Sequence, residues 1–263
     1  RYKAGAGWVT RAIMPFVAHY LRQWDVTSAA RVDGFIANSR FVGRRIEKYY
    51  RRASRVIAPP VAVEDFTPVP VTDIADYYLW CGELVAYKRP DLAIAAFTAS
   101  GRPLVVIGDG PERSRLQAIA GPSITFVGKL DTPHLRETMA KCRALVFPGT
   151  EDFGIVPVEV QAAGRPVIAH ASGGALETVV HGATGFLYHG EDAAALNRAI
   201  DAFEASAISA TCLTACIANA AQYGGARFVA EMTEAIRDAR ASMESDDHGH
   251  SAATARLSIV RAG

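Results

Sequence analysis

Residues 148–159 read Pro-Gly-Thr-Glu-Asp-Phe-Gly-Ile-Val-Pro-Val-Glu, which sets two carboxylates eight residues apart around a glycine. The apolar run Ala144–Phe147 predicts a strand before this stretch, and 155–163 predict a helix after it. Gly154 at the helix entrance leaves the first backbone N–H groups open. Those donors and the helix dipole suit a phosphate, an effect of about 0.3–1 kcal/mol at an exposed site and more when partly buried. Glu151 falls in the loop and Glu159 just over one turn inside the helix. An ionised carboxylate only accepts hydrogen bonds, so Glu159 could hold two vicinal hydroxyls, as an acidic residue holds ribose in dinucleotide folds. A solvated carboxylate is the plainer reading of Glu159, but Val156, Val158 and Val160 around it argue against simple exposure. Lys88, at the predicted start of a helix over 88–99, is a compact cation apt for phosphate. In that position it would oppose the helix dipole, which disfavours a merely structural lysine.

The elements that would position these groups alternate. Strands are predicted at 77–81, 104–107, 124–127, 144–147, 167–169 and 186–188. Helices are predicted at 88–99, 112–120, 132–141, 155–163, 175–180, 192–204, 208–222 and 225–243. Alternation of this kind means parallel strands joined by right-handed crossovers, a doubly wound α/β fold. Ligands in such folds sit outside the carboxyl ends of the strands. Before residue 76 the pattern is different. An amphipathic helix is predicted over 8–30, broken at Pro15. A short strand follows at 32–37, a basic helix from Arg40 to about Arg52, and a strand at 56–57. Four prolines fall between 59 and 70, so 59–75 read as an interdomain linker. The expected organisation is therefore 1–58 as the remnant of a first domain, the 59–75 linker, 76–205 as the ligand-binding domain, C-terminal helices over 206–243, and a disordered tail over 244–263.

Composition bounds the function. Half of the 263 residues are apolar, enough to bury a substantial core. No stretch approaches the ~20 apolar residues of a membrane span, and no signal-peptide pattern is visible. The four cysteines, Cys81, Cys142, Cys212 and Cys216, form no Cys-x-x-Cys pair and read as buried thiols of a cytosolic protein. No metal cluster is visible; His248 and His250 read as part of a solvated tail. The net charge of +1 conceals a split, with 12 Lys/Arg against 3 Asp/Glu in residues 1–60 and 16 against 24 thereafter. The basic opening suits an anionic surface or an acidic face of the same protein. A helix at 8–30 resting on anionic lipid and one packed within the first domain are both open at this point. Nucleic acid is not expected, because residues 40–55 carry no reading motif.

Glu151-Asp-Phe-Gly-Ile-Val-Pro-Val-Glu159, followed by Gln-Ala-Ala-Gly-Arg-Pro-Val-Ile, resembles the E-x7-E signature of family 4 (group 1) retaining glycosyltransferases. Other segments agree in order. Gly82 to Phe97, with Lys88 and Arg89, resembles the phosphate-lysine segment. Leu104 to Glu112, with Gly108 and Gly110, resembles the Gly-x-Gly-Pro turn. Phe126-Val127-Gly128 resembles the strand end beside the base. Gly173-Gly174, Glu177 and Gly185-Phe186 resemble the stretch after the signature. The similarity covers roughly residues 30–240, and the run Arg31 to Val42 with the Glu-Asp-Phe-Gly variant is most similar to GDP-mannose-dependent mannosyltransferases of surface-polysaccharide assembly.

The resemblance implies a GT-B architecture, with this chain carrying mainly the Rossmann-like, donor-binding half. It implies a nucleotide-diphosphate sugar as donor, GDP-mannose or a UDP-sugar. Lys88 would meet the diphosphate, Glu159 the ribose, and Glu151 the donor sugar as the catalytic carboxylate. The backbone of Phe153, Gly154, Ile155 and Val156 would lie beside the sugar. Transfer would proceed with retention to a glycan or lipid-linked acceptor, the leaving diphosphate helping to take the acceptor proton, with no metal and no cofactor. The expected location is cytoplasmic, with peripheral contact at the inner membrane face through 8–30. Two departures count against robust transfer by this chain alone. The first domain is mostly absent, and Glu83 stands where the family usually has Arg. An anion about 5 Å from a diphosphate costs about 3 kcal/mol per charge at an effective dielectric of about 20; Arg89 is the available compensation unless Glu83 points away. Three other readings remain: a non-catalytic nucleotide-binding relative, a glycoside hydrolase using the paired carboxylates, and a nucleotide-sugar epimerase.

Overall fold

A computed structural model describes residues 8–206 and 208–259. The chain divides into two compact units. Within the described residues, one comprises 8–37, 43–56 and 235–259, and the other 38–42 and 57–234.

The first unit begins with α1 (Trp8–Ala29), which runs through Pro15 without the expected break. A proline inside a helix forfeits one backbone hydrogen bond, and the Ala, Ile, Met and Leu residues around it carry the helix past that loss. Phe16, Tyr20 and Trp24 on α1 are 78%, 68% and 58% exposed, so the described part of this unit does not cover its apolar face. The predicted strands at 32–37 and 56–57 reduce to β1 (Ile36–Ala37) and β2 (Arg55–Val56), paired in parallel. Between them lies α2 (Arg40–Tyr50), whose first residues belong to the second unit.

The second unit is built on six parallel strands. In chain order they are β3 (Tyr78–Cys81), β4 (Leu104–Ile107), β5 (Ile124–Gly128), β6 (Leu145–Phe147), β7 (Val167–His170) and β8 (Gly185–Tyr188). Their order across the sheet is β5-β4-β3-β6-β7-β8. The helices are α3 (Pro90–Ser100), α4 (Arg113–Ile119), α5 (Thr132–Lys141), α6 (Ile155–Ala162), α7 (Ala175–Thr178), α8 (Ala193–Ala205), α9 (Ile208–Thr211), α10 (Leu213–Ala221) and the start of α11 (Gly225–Ile259), whose residues from 235 onward belong to the first unit. Side chains alternate across the strands, so each apolar run feeds two cores. Tyr78, Trp80, Leu104, Val106, Val146 and Ile168 face one side, against Phe97 of α3 and Leu196, Ile200 and Phe203 of α8. Leu79, Ile107, Leu145, Phe147, Val167 and Ala169 face the other, against Met139 of α5 and Val160 of α6.

Several boundaries differ from the sequence reading for local reasons. Residues 86–88 form a 3-10 turn, and Arg89 takes a left-handed conformation (φ 54°) before α3 starts at Pro90. Proline is favoured at the first helical position because its missing N–H has no intrahelical partner there, so Lys88 lies outside the helix it was expected to open. Residues 59–75, read as a linker, contribute Val61 to a core shared with Phe153, Val158, Ala162 and Ala220. The last helix runs on to Ile259, through residues read as a disordered tail; Ala252, Ala253, Ala255 and Leu257 are strong helix formers. Residues 260–263 of that tail lie outside the described residues.

α6 is anchored from behind by a buried polar network. Gln161 donates to the carbonyls of Pro157 at 3.0 Å and Thr178 at 2.8 Å. Asn219 of α10 donates to Gln161 Oε1 at 2.7 Å and to the Thr178 carbonyl at 2.9 Å. Every one of these buried acceptors gains a partner, the condition under which a polar group in a core is stabilising rather than costly.

Candidate functional site

The strand order reverses direction between β3 and β6, and a doubly wound sheet opens its ligand crevice where that happens. The segments leaving those two strands are 82–89 and 148–154. Two cavities lie there. One, of about 680 Å³, is lined by Cys81, Gly82, Glu83, Ile107, Gly108, Asp109, Gly110, Lys129, Leu130 and Leu135. The other, of about 620 Å³, is lined by Asn38, Pro59, Tyr87, Lys88, Thr150, Glu151, Asp152, Phe153, Gly154, Ile155 and Val156. Both are within the range of small-molecule sites, about 300–1,000 Å³.

Lys88 connects the two. It lines the second cavity, and a Cβ placed on Gly82, in the first, would stand 3.5 Å from its Nζ. The ammonium pairs with Glu151 Oε1 at 3.0 Å, both side chains being about one-fifth exposed. The structure thus brings together Lys88, Glu151, Phe153, Gly154, Ile155 and Val156 in one cavity, and Gly82, Gly108 and Gly110 in the other.

The loop carrying Glu151 is held by glycines from the next crossover. The Gly174 N–H donates to the Glu151 carbonyl at 2.8 Å. A Cβ on Gly174 would meet the Phe153 carbonyl oxygen at 2.1 Å, and one on Gly173 the Glu151 carbonyl oxygen at 2.3 Å. Gly154 (φ 84°) makes the left-handed turn that starts α6, a conformation other residues rarely take.

Glu159 lines neither cavity. Its carboxylate has no hydrogen-bond or ion-pair partner among the described residues. Burial raises its pKa, opposed by Arg136. It acts on Cys81, whose thiol is pushed up to about 12 by burial and then by the Glu159 charge, with Lys88 opposing. Glu159 therefore stands within electrostatic reach of the first cavity's wall. A carboxylate whose pKa is raised by folding weakens the folded state as pH rises through that raised value. Glu159→Gln is expected to raise the melting temperature at pH 7 relative to the parent protein, with the gain fading at pH 4, where the carboxylate is largely neutral. If Glu159 holds ribose hydroxyls, the same variant should lose about 10- to 100-fold in nucleotide affinity, the usual range for a charge-assisted hydrogen bond. Melting curves at the two pH values and calorimetry check both halves.

Arg89, Val127 and Gly128 are not brought to either cavity. The Arg89 guanidinium is held by Asp91 at 3.3 Å and by the Glu191 carbonyl at 3.3 Å. The left-handed backbone at Arg89 turns the side chain that way, which sequence spacing does not reveal. Gly128 accepts the Gly108 N–H at 2.8 Å, and it is the next two residues, Lys129 and Leu130, that line the first cavity. Glu83 lines that cavity, and Lys129 rather than Arg89 is the cation that shares it. Cys81 is half-buried in the same wall, while Cys142, Cys212 and Cys216 are buried, all four as free thiols. Asn38 and Tyr87, which line the second cavity, were missed by the sequence reading; Tyr87 carried a signal, an aromatic next to Lys88.

Among the described residues no group of three or more His, Cys, Asp and Glu is placed to hold a metal ion. No described helix is long and apolar enough to cross a membrane.

A parallel sheet with crevices at its switch point, glycine-supported loops and an open helix N-terminus define a Rossmann-like α/β domain. The glycosyl transferases group 1 family matches residues 68–222, more than half of the chain, and the chain belongs to that family. It is 34% identical over 137 residues to the GDP-mannose-dependent monoacylated alpha-(1-6)-phosphatidylinositol monomannoside mannosyltransferase of Corynebacterium glutamicum, covering 46% of this chain and 36% of that protein. It is 27% identical over 225 residues to the D-inositol 3-phosphate glycosyltransferase of Streptomyces avermitilis, covering 71% and 47%. The chain thus spans between about a third and a half of the curated relatives it matches. Its fold is that of HepE from Anabaena, solved in complex with UDP and glucose (TM-score 0.72, 21% identity, 82% of this chain and 66% of that one). Sucrose-phosphate synthase from Thermosynechococcus elongatus is similar too (TM-score 0.71, 26% identity, 79% and 58%). The six-stranded unit is accordingly the Rossmann-like half of a GT-B glycosyltransferase fold.

Proposed function

We propose that residues 57–234 bind a nucleotide-diphosphate sugar, with the nucleoside in the cavity beside Gly82, Gly108 and Gly110 and the hexose in the cavity beside Glu151. The observation that carries this reading is Lys88, a half-buried cation that lines the second cavity and lies beside Gly82 in the wall of the first. A diphosphate joining a nucleoside to a sugar would need its countercharge there. The chemistry that follows is hexosyl transfer with retention to a glycan or lipid-linked acceptor, Glu151 facing the sugar. The relative from Corynebacterium, GDP-mannose-dependent by its name, supports GDP-mannose as donor. The test is calorimetry of the purified chain with GDP, UDP, GDP-mannose and UDP-glucose. Saturable binding of the guanine pair in preference to the uracil pair is expected. No binding of any of the four would end the reading.

Glu83 in the first cavity favours one second reading, a relative that binds nucleotide without transferring sugar. Binding of GDP with no transfer, in a longer protein that supplies a full first domain, would establish it. The exposed apolar face of α1 supports a peripheral membrane contact. Failure to sediment with anionic vesicles at low salt would dismiss that contact.

A further inference from the structure

The second cavity has a wall that the Glu151 loop does not supply. Asn38 and Tyr87 form part of it. Asn38 is exposed. Its Oδ1 accepts the Ser39 hydroxyl at 3.2 Å, and its amide N–H donors have no protein acceptor among the described residues. Tyr87 is 52% exposed, which leaves a ring surface free beside Lys88.

Asn38 is fixed by a contact distant in sequence. Glu177 Oε2 accepts the Arg40 N–H at 2.9 Å, and Glu177 Oε1 accepts the Phe41 N–H at 3.0 Å. Ser39 Oγ accepts the Val42 N–H at 3.1 Å. Three of the N–H groups that a helix leaves unpaired at its start are thereby satisfied, two of them by one carboxylate from another element. Ser39 itself is 1% exposed. Asn38, the residue just before this capped turn, is therefore held on a defined backbone. Glu177 follows Gly173 and Gly174, the residues that support the Glu151 loop. One short segment, 173–177, thus sets both Glu151 and Asn38 on the same cavity.

We propose that Asn38 recognises the hexose of the nucleotide sugar through its amide, and that Glu177 is the positioning residue that holds it there. The chemistry fits: an amide offers two donors and an acceptor to sugar hydroxyls, and the Tyr87 ring offers a flat apolar surface to the C–H face. This rests on the donor reading above.

The experiment compares the affinity for a nucleotide sugar with that for its own nucleoside diphosphate, GDP-mannose against GDP and UDP-glucose against UDP. Asn38→Ala should weaken the nucleotide sugar about 5- to 10-fold, as for one lost hydrogen bond to a neutral group, and leave the nucleoside diphosphate unchanged. Glu177→Ala should give the same selective loss, with Glu177→Gln, which keeps the side-chain shape, retaining part of it. The Asn38→Ala/Glu177→Ala double variant should be no worse than either single one, because both changes remove one interaction. The unchanged affinity for the nucleoside diphosphate reports that each variant is folded. Equal weakening of both ligands, or of neither, by Asn38→Ala overturns the assignment of Asn38 to the sugar. Losses that multiply in the double variant overturn the positioning role of Glu177. A parent protein that binds none of the four ligands overturns this proposal and the donor reading together, which separates that failure from the others.

Discussion

Lys88→Ala is expected to weaken binding of GDP and GDP-mannose by about a hundred- to a thousandfold. Two losses combine. The charge-assisted contact to the diphosphate is worth about 1.5–3 kcal/mol. The second loss concerns Glu151, whose carboxylate lies 3.0 Å from the lysine ammonium. Without its cation this carboxylate faces the incoming phosphates. At about 5 Å and an effective dielectric of about 20, such a repulsion reaches about 3 kcal/mol. Solvent and side-chain movement would relieve part of it, so the expected total stays near the lower end of the sum. The second loss is separable from the first. Lys88→Ala/Glu151→Gln should bind GDP about tenfold better than Lys88→Ala, because the repulsion is gone while the missing contact is not. Displacement of a labelled guanine nucleotide reads both variants. If Lys88→Ala binds GDP within fivefold of the parent protein, the lysine has no part in the site.

Gly174→Ala is expected to destabilise the protein by about 3 kcal/mol, the upper part of the range for forcing an extra methyl into a packed region. For a chain of this size that corresponds to a fall in Tm of about 6–12 °C. The added carbon would stand 2.1 Å from the Phe153 carbonyl oxygen and 2.4 Å from the Phe153 Cα. Both are backbone atoms, so no side chain can swing aside to make room. Relief must come from the 151–153 loop, which also carries the bond from the Gly174 N–H to the Glu151 carbonyl. Nucleotide-sugar affinity should therefore fall more than the remaining folded fraction explains. Gly225→Ala is the control, since nothing lies within 4 Å of the position its Cβ would take. Matching Tm values for the two variants would show that the loop accommodates the methyl group.

Much of this fold was legible in the sequence. The six strands of the second unit stand out because a parallel sheet covered on both faces makes each strand an apolar run. The runs 78–81, 104–107 and 167–170 are of that kind. The helix carrying Glu159 was legible because Gly154 opens it and Ala163-Gly164 closes it. What stayed hidden was the direction of side chains around irregular backbone. Lys88 read as the first residue of a helix, whereas a 3-10 turn and a left-handed Arg89 place it before the helix and send Arg89 towards Asp91. No periodicity encodes such a kink. Partnerships between distant residues were equally hidden. Glu177 caps a helix 137 residues earlier in the chain, and a sequence shows that the first turn of that helix has no carboxylate of its own without showing which distant one answers its N–H groups. Residues 59–75 misled in another way. Four prolines suit a linker, but proline also suits an extended segment laid on a core, and Val61 is buried in one.

The buried network of Gln161, Thr178 and Asn219 has a kinetic consequence for the loop it stands behind. Gln161 belongs to α6, Thr178 to α7 and Asn219 to α10, and each bond in the network crosses between these helices except the one from Gln161 to Pro157. None of the three helices can pull away alone without leaving a buried amide or carbonyl unpaired. They should therefore open to solvent as one cooperative unit, with closely matched amide-exchange rates. A ligand that grips only the first turn of α6 would then slow exchange in α10 as well, although α10 lines neither cavity.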